Sequence, residues 1–229
     1  PISDGPFRNG SMYLTYTNEG MPIGAFWGYK TDGLIQTQEQ LNAVKRADFQ
    51  PNAELGDVLF VDTNGDGKLD SSDRCMIGNP IPDIIYGINM GMAWKGFDLN
   101  LQFGGTIGNQ IFNAMRYYTY FPNDITNKDR ALMNYWTPNN TNTDIPRLTA
   151  TDVNDNDRFS DMYVENGTYF RLRNAQLGYT LPASLTQRIK LQKVRFYVSG
   201  QNLFTISSYS GMDPEVGQSS SLSRGIDYG

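Results

Sequence analysis

Apolar and polar residues alternate along residues 83–94, which read DIIYGINMGMAW. A period of two indicates a β-strand, because successive side chains of a strand point to opposite sides of the sheet. The apolar set comprises Ile84, Tyr86, Ile88, Met90, Met92 and Trp94, and the opposite set comprises Ile85, Gly87, Asn89, Gly91 and Ala93. The pattern predicts one long strand with one apolar side.

A second alternating run, FDLNLQFGG at 97–105, begins only two residues later. The intervening Lys95-Gly96 suits a tight hairpin turn, because glycine accepts the positive φ that such a turn requires. The apolar parity holds Phe97, Leu99, Leu101 and Phe103, and the other parity holds Asp98, Asn100, Gln102 and Gly104. Residues 83–104 are therefore predicted to form a hairpin with one apolar side.

A second strand pair is predicted nearer the C-terminus. Residues 168–181, TYFRLRNAQLGYTL, alternate up to Pro182, but the phase slips near Asn174. An extra residue at that point would produce the slip, so we expect a β-bulge there. Residues 193–203 alternate again, with Val194, Phe196 and Val198 on one side and Arg195, Tyr197, Ser199 and Gln201 on the other.

Upstream of the first hairpin the pattern changes to short elements. Thr37 with Gln40 forms a capping-box signature, which predicts a helix over about 38–48. A short strand is expected within PIGAFWGYK at 22–30.

Residues 105–167 are rich in Asn, Asp, Thr and Tyr and lie between the two strand pairs. A connection of this length usually has a function or a substructure of its own. We expect short helices at about 109–117 and 128–136, the second capped by Thr126 or Asn127.

The composition of the two faces distinguishes a membrane barrel from a soluble β-sandwich. A sandwich buries its apolar face and normally carries Lys, Glu and Thr outside, whereas the polar sides here carry mainly Gly, Asn, Gln, Ser and Thr. Aromatic residues lie toward the ends of the apolar side, as in the girdles of outer-membrane barrels. The runs also fit the roughly 9 to 11 residues of a tilted membrane strand. The pattern favours the barrel, and a sandwich remains the alternative.

The barrel hypothesis assigns each face an environment. An arginine facing lipid at the midplane would cost about 2–4 kcal/mol, and parity instead puts Arg195 on the polar side. We expect the lipid face to include Ile88, Met90, Leu99 and Leu101, and the lumen face to include Asn89, Asn100 and Gln102.

The amino-acid composition excludes several classes of function. The chain has 24 acidic and 19 basic residues, and this net charge of −5 argues against binding to nucleic acid. It contains no histidine, which removes Ser-His-Asp and Cys-His catalysis and histidine-bound zinc. Cys75 is the only cysteine, so no disulfide forms within the chain, and we interpret it as a packed residue. No base, nucleophile or cofactor motif is present, so we do not expect an enzyme.

The two ends of the sequence carry their own expectation. No apolar run reaches 18 residues, and PISDGPFRNG lacks the charged and apolar regions of a signal peptide. The last residues, SRGIDYG, are a polar stretch. We interpret the sequence as a piece of a longer chain.

The segment DTNGDGKLDSSD at 62–73 has the spacing of a calcium-binding loop. Such loops take oxygen ligands from positions 1, 3, 5, 7, 9 and 12, with glycine at position 6 for the sharp turn. Gly67 occupies position 6, and the ligand positions hold Asp62, Asn64, Asp66, Lys68 (through its carbonyl), Asp70 and Asp73. Aspartate at the last position has a shorter reach than glutamate, so weaker binding is expected. An Asx-rich turn without metal is the alternative.

A calcium sensor does not fit this loop. The flanking segments GDVLFV and CMIGNPIPD predict a short strand and a proline-broken stretch, and a sensor needs two helices that open. Calcium would therefore be structural. The acidic segment 152–161 lacks glycine at position 6, because Asp157 stands there, so we expect a hydrogen-bonded loop rather than a second cation site. Asp152 and Asp155 are likewise interpreted as solvated rather than catalytic.

Three stretches carry a resemblance to a known family: residues 56–99, beginning GDVLFVDTNGDGKLD, YFRLRNAQLGYTLP at 169–182, and VRFYVSGQNLFTISSYSGMDPEV at 194–216. They resemble the C-terminal part of SusC/RagA proteins, which are TonB-dependent outer-membrane transporters of Bacteroidetes-type bacteria. MPIGAFWGYKTDGLIQTQEQL at 21–41 is similar to the stretch that precedes the calcium-type loop in that family.

The resemblance implies a large plugged barrel that imports glycans or oligopeptides together with a SusD-like surface lipoprotein and draws energy from the TonB complex. This chain would be an all-β, antiparallel transmembrane segment in outer-membrane lipid, with long extracellular loops that carry short helices; the plug, the N-terminal regions and the last strand are missing. The implied regions are an extracellular loop with the calcium-type site (31–82), a transmembrane hairpin (83–104), a long extracellular loop (105–167), a transmembrane strand pair (168–203) and a last extracellular loop (204–229). The residues that contact substrate do not follow from it. The alternative function is a secreted, calcium-stabilised sandwich that binds carbohydrate.

Overall fold

β-Strands supply most of the regular structure, and the helices are short. The computed structural model of the protein describes residues 2–7, 12–120, 127–215 and 226–227. Within these ranges, no helix has the length and apolar character needed to span a membrane. The chain divides into two compact units. The first comprises Pro1–Ile81, Gln110–Glu165 and Ser210–Gly229, and the second comprises Pro82–Asn109 and Asn166–Tyr209.

In chain order the strands are β1 (Ile2–Phe7), β2 (Met12–Thr17), β3 (Ala25–Gly28), β4 (Thr31–Leu34), β5 (Val58–Phe60), β6 (Cys75–Gly78), β7 (Ile84–Trp94), β8 (Phe97–Ile107), β9 (Gln110–Asn113), β10 (Val164–Asn166), β11 (Tyr169–Thr180), β12 (Arg195–Ser207) and β13 (Ile226–Asp227). The α-helices are α1 (Gln38–Arg46), α2 (Ala114–Tyr120) and α3 (Ala183–Thr186). Single 3₁₀ turns occupy Ser71–Asp73, Arg130–Asn134, Asp161–Tyr163 and Gln187–Ile189.

The first unit contains small sheets around an aromatic core. Their orders are β1-β2-β3-β6, β4-β5 and β10-β9-β13. The largest fully buried rings come from distant parts of the chain and pack edge to face, with Phe112 and Phe159 centroids 4.8 Å apart and Tyr117 and Tyr163 centroids 5.0 Å apart. Burial of one such side chain contributes about 1.5–3 kcal/mol, so this cluster fixes the segments that carry it.

Helix α1 begins where the capping box predicts. Thr37 Oγ1 accepts a hydrogen bond from the Gln40 amide, and Gln40 Oε1 accepts one from the Thr37 amide. The helix ends at Arg46, two residues before the predicted end, and Asp48 then adopts a φ of 57°. Its buried residue Leu41 packs beside Ile35.

The second unit is an antiparallel sheet in the order β12-β11-β8-β7. The predicted hairpin turn is confirmed, because Lys95 and Gly96 have φ values of 47° and 90° and join β7 to β8. The predicted bulge is also confirmed: the register of β11 shifts between Leu172 and Asn174 against both neighbouring strands.

Two helix predictions were wrong in detail. Residues 110–113 form strand β9 rather than the start of a helix, because the buried Ile111 and Phe112 join a sheet with β10 and β13, and only α2 is helical after them. The helix predicted at 128–136 is a 3₁₀ turn capped by Asp129, whose side chain accepts from the Ala131 amide. The other predicted cap, Thr126, lies outside the described residues.

Strand lengths also differ from the sequence predictions. β8 runs three residues past the predicted end, to Ile107, and β12 runs four residues past it, to Ser207. β3 covers only Ala25–Gly28 of the expected 22–30. The region 31–82 contains the predicted helix and the short strand predicted in GDVLFV, and it also contains β4 and β6.

A buried polar network ties strand β5 to the acidic segment 152–161. Asp57 is fully buried and accepts hydrogen bonds from Arg147 Nε at 2.6 Å, from Asn156 Nδ2 at 3.1 Å and from the Glu54 amide at 2.8 Å. Asn156 in turn accepts from the Val58 amide. Buried polar groups need such partners, so Asp57 is the centre on which these segments converge.

We predict that Asp57→Ala strongly destabilises the first unit, by about 3–5 kcal/mol, because it leaves the Arg147 guanidinium without its buried partner. Glu54→Ala is the matched control: Glu54 pairs with the same arginine at 2.9 Å but is largely exposed, and its loss should cost at most about 1 kcal/mol. Hydrogen–deuterium exchange of β5 in the full-length protein measures both effects. Equal protection in the two variants would contradict the prediction.

Candidate functional site

The register of the second-unit sheet sorts its residues into two chemically distinct faces. Residues directly opposite one another in neighbouring strands lie on the same face. One row across all the strands of this sheet consists of Met92, Leu99, Leu177 and Val198, and the next consists of Trp94, Phe97, Tyr179 and Phe196. We call this side the apolar face.

The bulge keeps the apolar face continuous. Leu172 lies opposite Phe103, and Leu177 lies opposite Leu99, so residues on both sides of the bulge share a face although their parity in the sequence differs. Phe170 stacks on Phe103 with ring centroids 5.2 Å apart. Without the extra residue, Phe170 and Leu172 would turn to the polar side.

The apolar face lacks a protein cover. Met92, Trp94, Phe196 and Val198 each expose about two-thirds of their surface, at 67%, 66%, 63% and 68%. A sandwich would bury such a face against a second sheet. An apolar patch of this extent indicates contact with something other than water.

The opposite side is lined by amides, hydroxyls and glycines, and we call it the polar face. One row across the four strands consists of Asn89, Gln102, Asn174 and Gln201, and the next includes Gly91, Asn100, Gln176 and Ser199. The predicted separation of Ile88, Met90, Leu99 and Leu101 from Asn89, Asn100 and Gln102 is therefore observed. The assignment of these faces to lipid and lumen stays a prediction.

One ion pair lies on the polar face, between two strands that are not neighbours. Arg195 of β12 donates from Nε to Oδ1 of Asp98 at 3.0 Å and from Nη2 to Oδ2 at 2.5 Å, and Asp98 belongs to β8. Gly178 of β11 lies between them: a Cβ there would be 2.5 Å from Arg195 Nη2 and 2.6 Å from Asp98 Oδ1. Because Gly178 has no side chain, the Asp98–Arg195 pair can pass over β11 at this position. Sequence reasoning placed Arg195 on this face but missed its partner, 97 residues away.

The second candidate site is the loop 62–73, which folds around its own aspartates. Asp62 accepts from the amides of Gly65 at 2.7 Å and Gly67 at 2.8 Å. Asn64 accepts from the Asp66 amide, and Asp66 accepts from the amide of Lys68, both at 2.9 Å. Both glycines have a φ of 77°, so the sharp turn expected at Gly67 is present and a second one lies at Gly65.

The end of the loop is anchored by Asp73. This buried carboxylate accepts from the amides of Thr63 at 3.0 Å and Asp70 at 2.9 Å, and the Asp73 carbonyl accepts from Thr63 Oγ1 at 2.7 Å. Asp70 accepts from the Ser72 amide and caps the 3₁₀ turn. Asp73 therefore closes the loop rather than facing solvent.

Backbone hydrogen bonds favour the ionised form of two aspartates in the loop. The Gly67 amide, with that of Gly65, holds the pKa of Asp62 below its usual value, and the Ser72 amide does the same for the pKa of Asp70. A lowered folded-state pKa means that these bonds contribute stability above the ordinary pKa of aspartate, and that this stability is lost as pH falls through the lowered value. Ionised carboxylates at neutral pH suit a cation.

The structure brings the six predicted ligands into one loop but does not gather a metal centre. Across the part of the chain that the structure describes, no group of three or more Asp, Glu, Cys or His side chains is close enough to hold a metal ion. The segment 152–161 is the hydrogen-bonded loop that the sequence predicts, with Asn154 and Asn156 buried and bonded to each other at 2.9 Å.

Comparisons with known proteins agree with the face chemistry. No family model matches the chain. The chain is 38% identical over 221 residues to TonB-dependent receptor P3 of Formosa agariphila, over 92% of this chain and 21% of that protein. It is 30% identical over 169 residues to TonB-dependent receptor SusC of Bacteroides thetaiotaomicron, over 73% of this chain and 16% of that protein.

Among solved structures, the RagAB peptide importer in its 'open-open' state matches with a TM-score of 0.69 and 25% identity, over 99% of this chain and 22% of that chain. The chain belongs to the SusC/RagA-like family of TonB-dependent receptors. It spans about a fifth of the length of the curated relatives that it matches.

We predict that Gly178→Ala breaks the Asp98–Arg195 pair and lowers the thermal unfolding temperature of the full-length receptor by several degrees, because the added methyl group occupies the space of the pair. Gly87→Ala is the control on the same face, where a Cβ would meet only the Phe103 carbonyl at 3.8 Å. If Gly178→Ala and Gly87→Ala had the same unfolding temperature, the Asp98–Arg195 pair would not depend on the absence of a side chain at position 178.

Proposed function

We propose that this chain forms part of the wall of a TonB-dependent outer-membrane barrel that imports nutrients. The observation that carries the proposal is the sheet with one exposed apolar face and one amide-lined face that also holds the ion pair. In a barrel, the apolar face meets lipid and the polar face lines the lumen. Asp98 and Arg195, which lie on the polar face, are then kept out of the hydrocarbon, where an arginine at the midplane would cost about 2–4 kcal/mol.

The outer strands of the sheet support a closed wall. β7 and β12 each pair on one side only within the sheet. In hydrocarbon, a strand edge would leave amides and carbonyls without partners at a cost of several kcal/mol each, so further strands must continue the sheet on both sides. An isolated sandwich module needs its apolar face buried, and the exposure of that face does not favour this alternative.

The connections define the two ends of the proposed wall. The two-residue turn at Lys95-Gly96 and the short segment 181–194 lie at one end of the sheet, and the longer connections leave from the other end. Barrels of this class have short periplasmic turns and long extracellular loops. On this basis, residues 31–82, 108–168 and those after Ser207 would be extracellular.

The substrate would be a glycan or an oligopeptide, taken up together with a SusD-like lipoprotein. The amide row from Asn89 to Gln201 offers donors and acceptors to a polar solute. The matched structure is named as a peptide importer, which supports the peptide alternative. No catalytic role is proposed.

Deletion of the full-length gene, with its neighbours kept, should abolish growth on at least one polymeric glycan or peptide source and leave growth on simple sugars unchanged. Complementation with the intact gene is the control, and the tagged receptor should co-purify with a surface lipoprotein. Undiminished growth on every such polymer, with no lipoprotein recovered, would end this proposal.

We further propose that calcium is the structural ligand of the loop 62–73. Asp62, Asn64, Asp66, the Lys68 carbonyl and Asp70 or Asp73 would hold it, and their oxygens are of the kind that calcium prefers. Bound calcium would stiffen the loop by screening its like charges. The spacing, the two positive-φ glycines and the ionised carboxylates support this ligand set.

The calcium proposal predicts a difference between the wild-type loop and the double variant Asp62→Ala/Asp66→Ala. A chelator should speed proteolysis of the loop in the wild-type receptor and have no effect in the double variant, which should also lose one calcium per molecule. The control variant, Glu19→Ala/Glu39→Ala, removes two exposed carboxylates elsewhere and should behave as wild type. Unchanged calcium content in the double variant would refute the site.

A further inference from the structure

The first unit contains a cleft beside strands β4 and β5 and helix α2. Its volume is about 450 Å³, within the range of small-ligand sites. Strands β4 and β5, the start of α1, helix α2 and residues 143–144 contribute to its walls. The residues that meet here extend from Thr31 to Met162 in the sequence, which is why no sequence motif marks the cleft.

The floor of the cleft is aliphatic. Leu34 and Val58 are almost completely buried, and Met162 lies beside them. No aromatic side chain is among the described residues that line the cleft. Such a floor suits an aliphatic chain.

The rim carries a carboxylate that is free to bind. Asp32 is exposed, and within the described residues it forms no hydrogen bond or ion pair. The adjacent Gly33 has a φ of 72°, and no heavy atom lies within 4 Å of the position a Cβ would take. The backbone of a ligand can therefore approach closely beside Asp32.

The opposite wall carries a partly used arginine. Arg116 pairs with Asp144 and lies 3.7 Å from Glu165 through Nη1. The Arg116 Nε is buried without a hydrogen-bond partner among the described residues. This nitrogen has no accessible surface, so a ligand can meet Arg116 only through the rest of the side chain that lines the cleft. The Gln40 side chain also lines the cleft, and its oxygen is occupied by the Gln36 and Thr37 amides, which leaves its amide nitrogen to donate.

We propose that this cleft binds a peptide that carries a lysine or arginine side chain, an inference that rests on the proposed import function and selects its peptide alternative. The lining carboxylates Asp32 and Asp144 outnumber the single cation Arg116, which leaves one negative charge to be matched. The aliphatic stem of the basic side chain lies on the floor and its charge meets Asp32. A peptide carbonyl accepts from the Gln40 amide nitrogen. A neutral glycan supplies no charge for Asp32.

The test measures binding of two N-acetylated, fluorescent tetrapeptides, Ala-Lys-Ala-Ala and Ala-Glu-Ala-Ala, to the full-length receptor with its lipoprotein. The wild type should prefer the lysine peptide by about two- to fivefold, the range of an exposed ion pair, and high salt should reduce the preference. Asp32→Asn should remove the preference, and Asp32→Lys should reverse it. Glu19→Gln, an exposed carboxylate outside the cleft, is the control and should leave the preference intact.

An unchanged preference in Asp32→Asn would overturn the cleft assignment while leaving peptide import standing. Binding of neither peptide by a receptor that supports growth on a glycan would also overturn it, and the import function would survive. Failure of growth tests on both polymer classes would remove the proposed function itself, and this inference with it.

Discussion

An entirely apolar face on a single β-sheet can persist only where something other than water covers it, and the rest of the second unit depends on this constraint. The rows of Met, Leu, Val and aromatic side chains span β7, β8, β11 and β12 without interruption. The bulge next to Leu172 makes this continuity possible, because it places Phe170 and Leu172 on the apolar face. We propose lipid as this cover, because it also accounts for the amides and the Asp98–Arg195 pair on the opposite side of the sheet.

Polar groups in both units are satisfied by partners that are distant in the sequence. Asp98 finds Arg195 across β11, in the space that Gly178 leaves. In the first unit, the fully buried Asp57 joins Arg147 and Asn156. In each unit, one carboxylate therefore holds several segments in place.

The sequence made some of this structure predictable because the signals were local. Alternation defined the strands, Lys95-Gly96 defined the hairpin turn, and Thr37 with Gln40 defined the start of α1. Strand β9 was mistaken for helix because its short apolar run suits either structure and only its pairing with β10 decides. Arg147 as the partner of Asp57 and Asp98 as the partner of Arg195 could not be predicted, since these pairs are 90 and 97 residues apart in the sequence. The walls of the cleft could not be predicted either, because they combine residues from Thr31 to Met162. The spacing of the calcium-type loop predicted the turn at Gly67 but not the one at Gly65.

The central claim is that the two faces of this sheet meet lipid and water. Spin labels placed one at a time along β7, from Tyr86 to Ala93, in a full-length receptor with Cys75→Ser and reconstituted in lipid, report this directly through their accessibility to oxygen and to a water-soluble nickel complex. The account predicts alternation, with oxygen favoured at Ile88, Met90 and Met92 and nickel favoured at Asn89 and Gly91. Uniform accessibility along the strand, or alternation of the opposite phase, would contradict it.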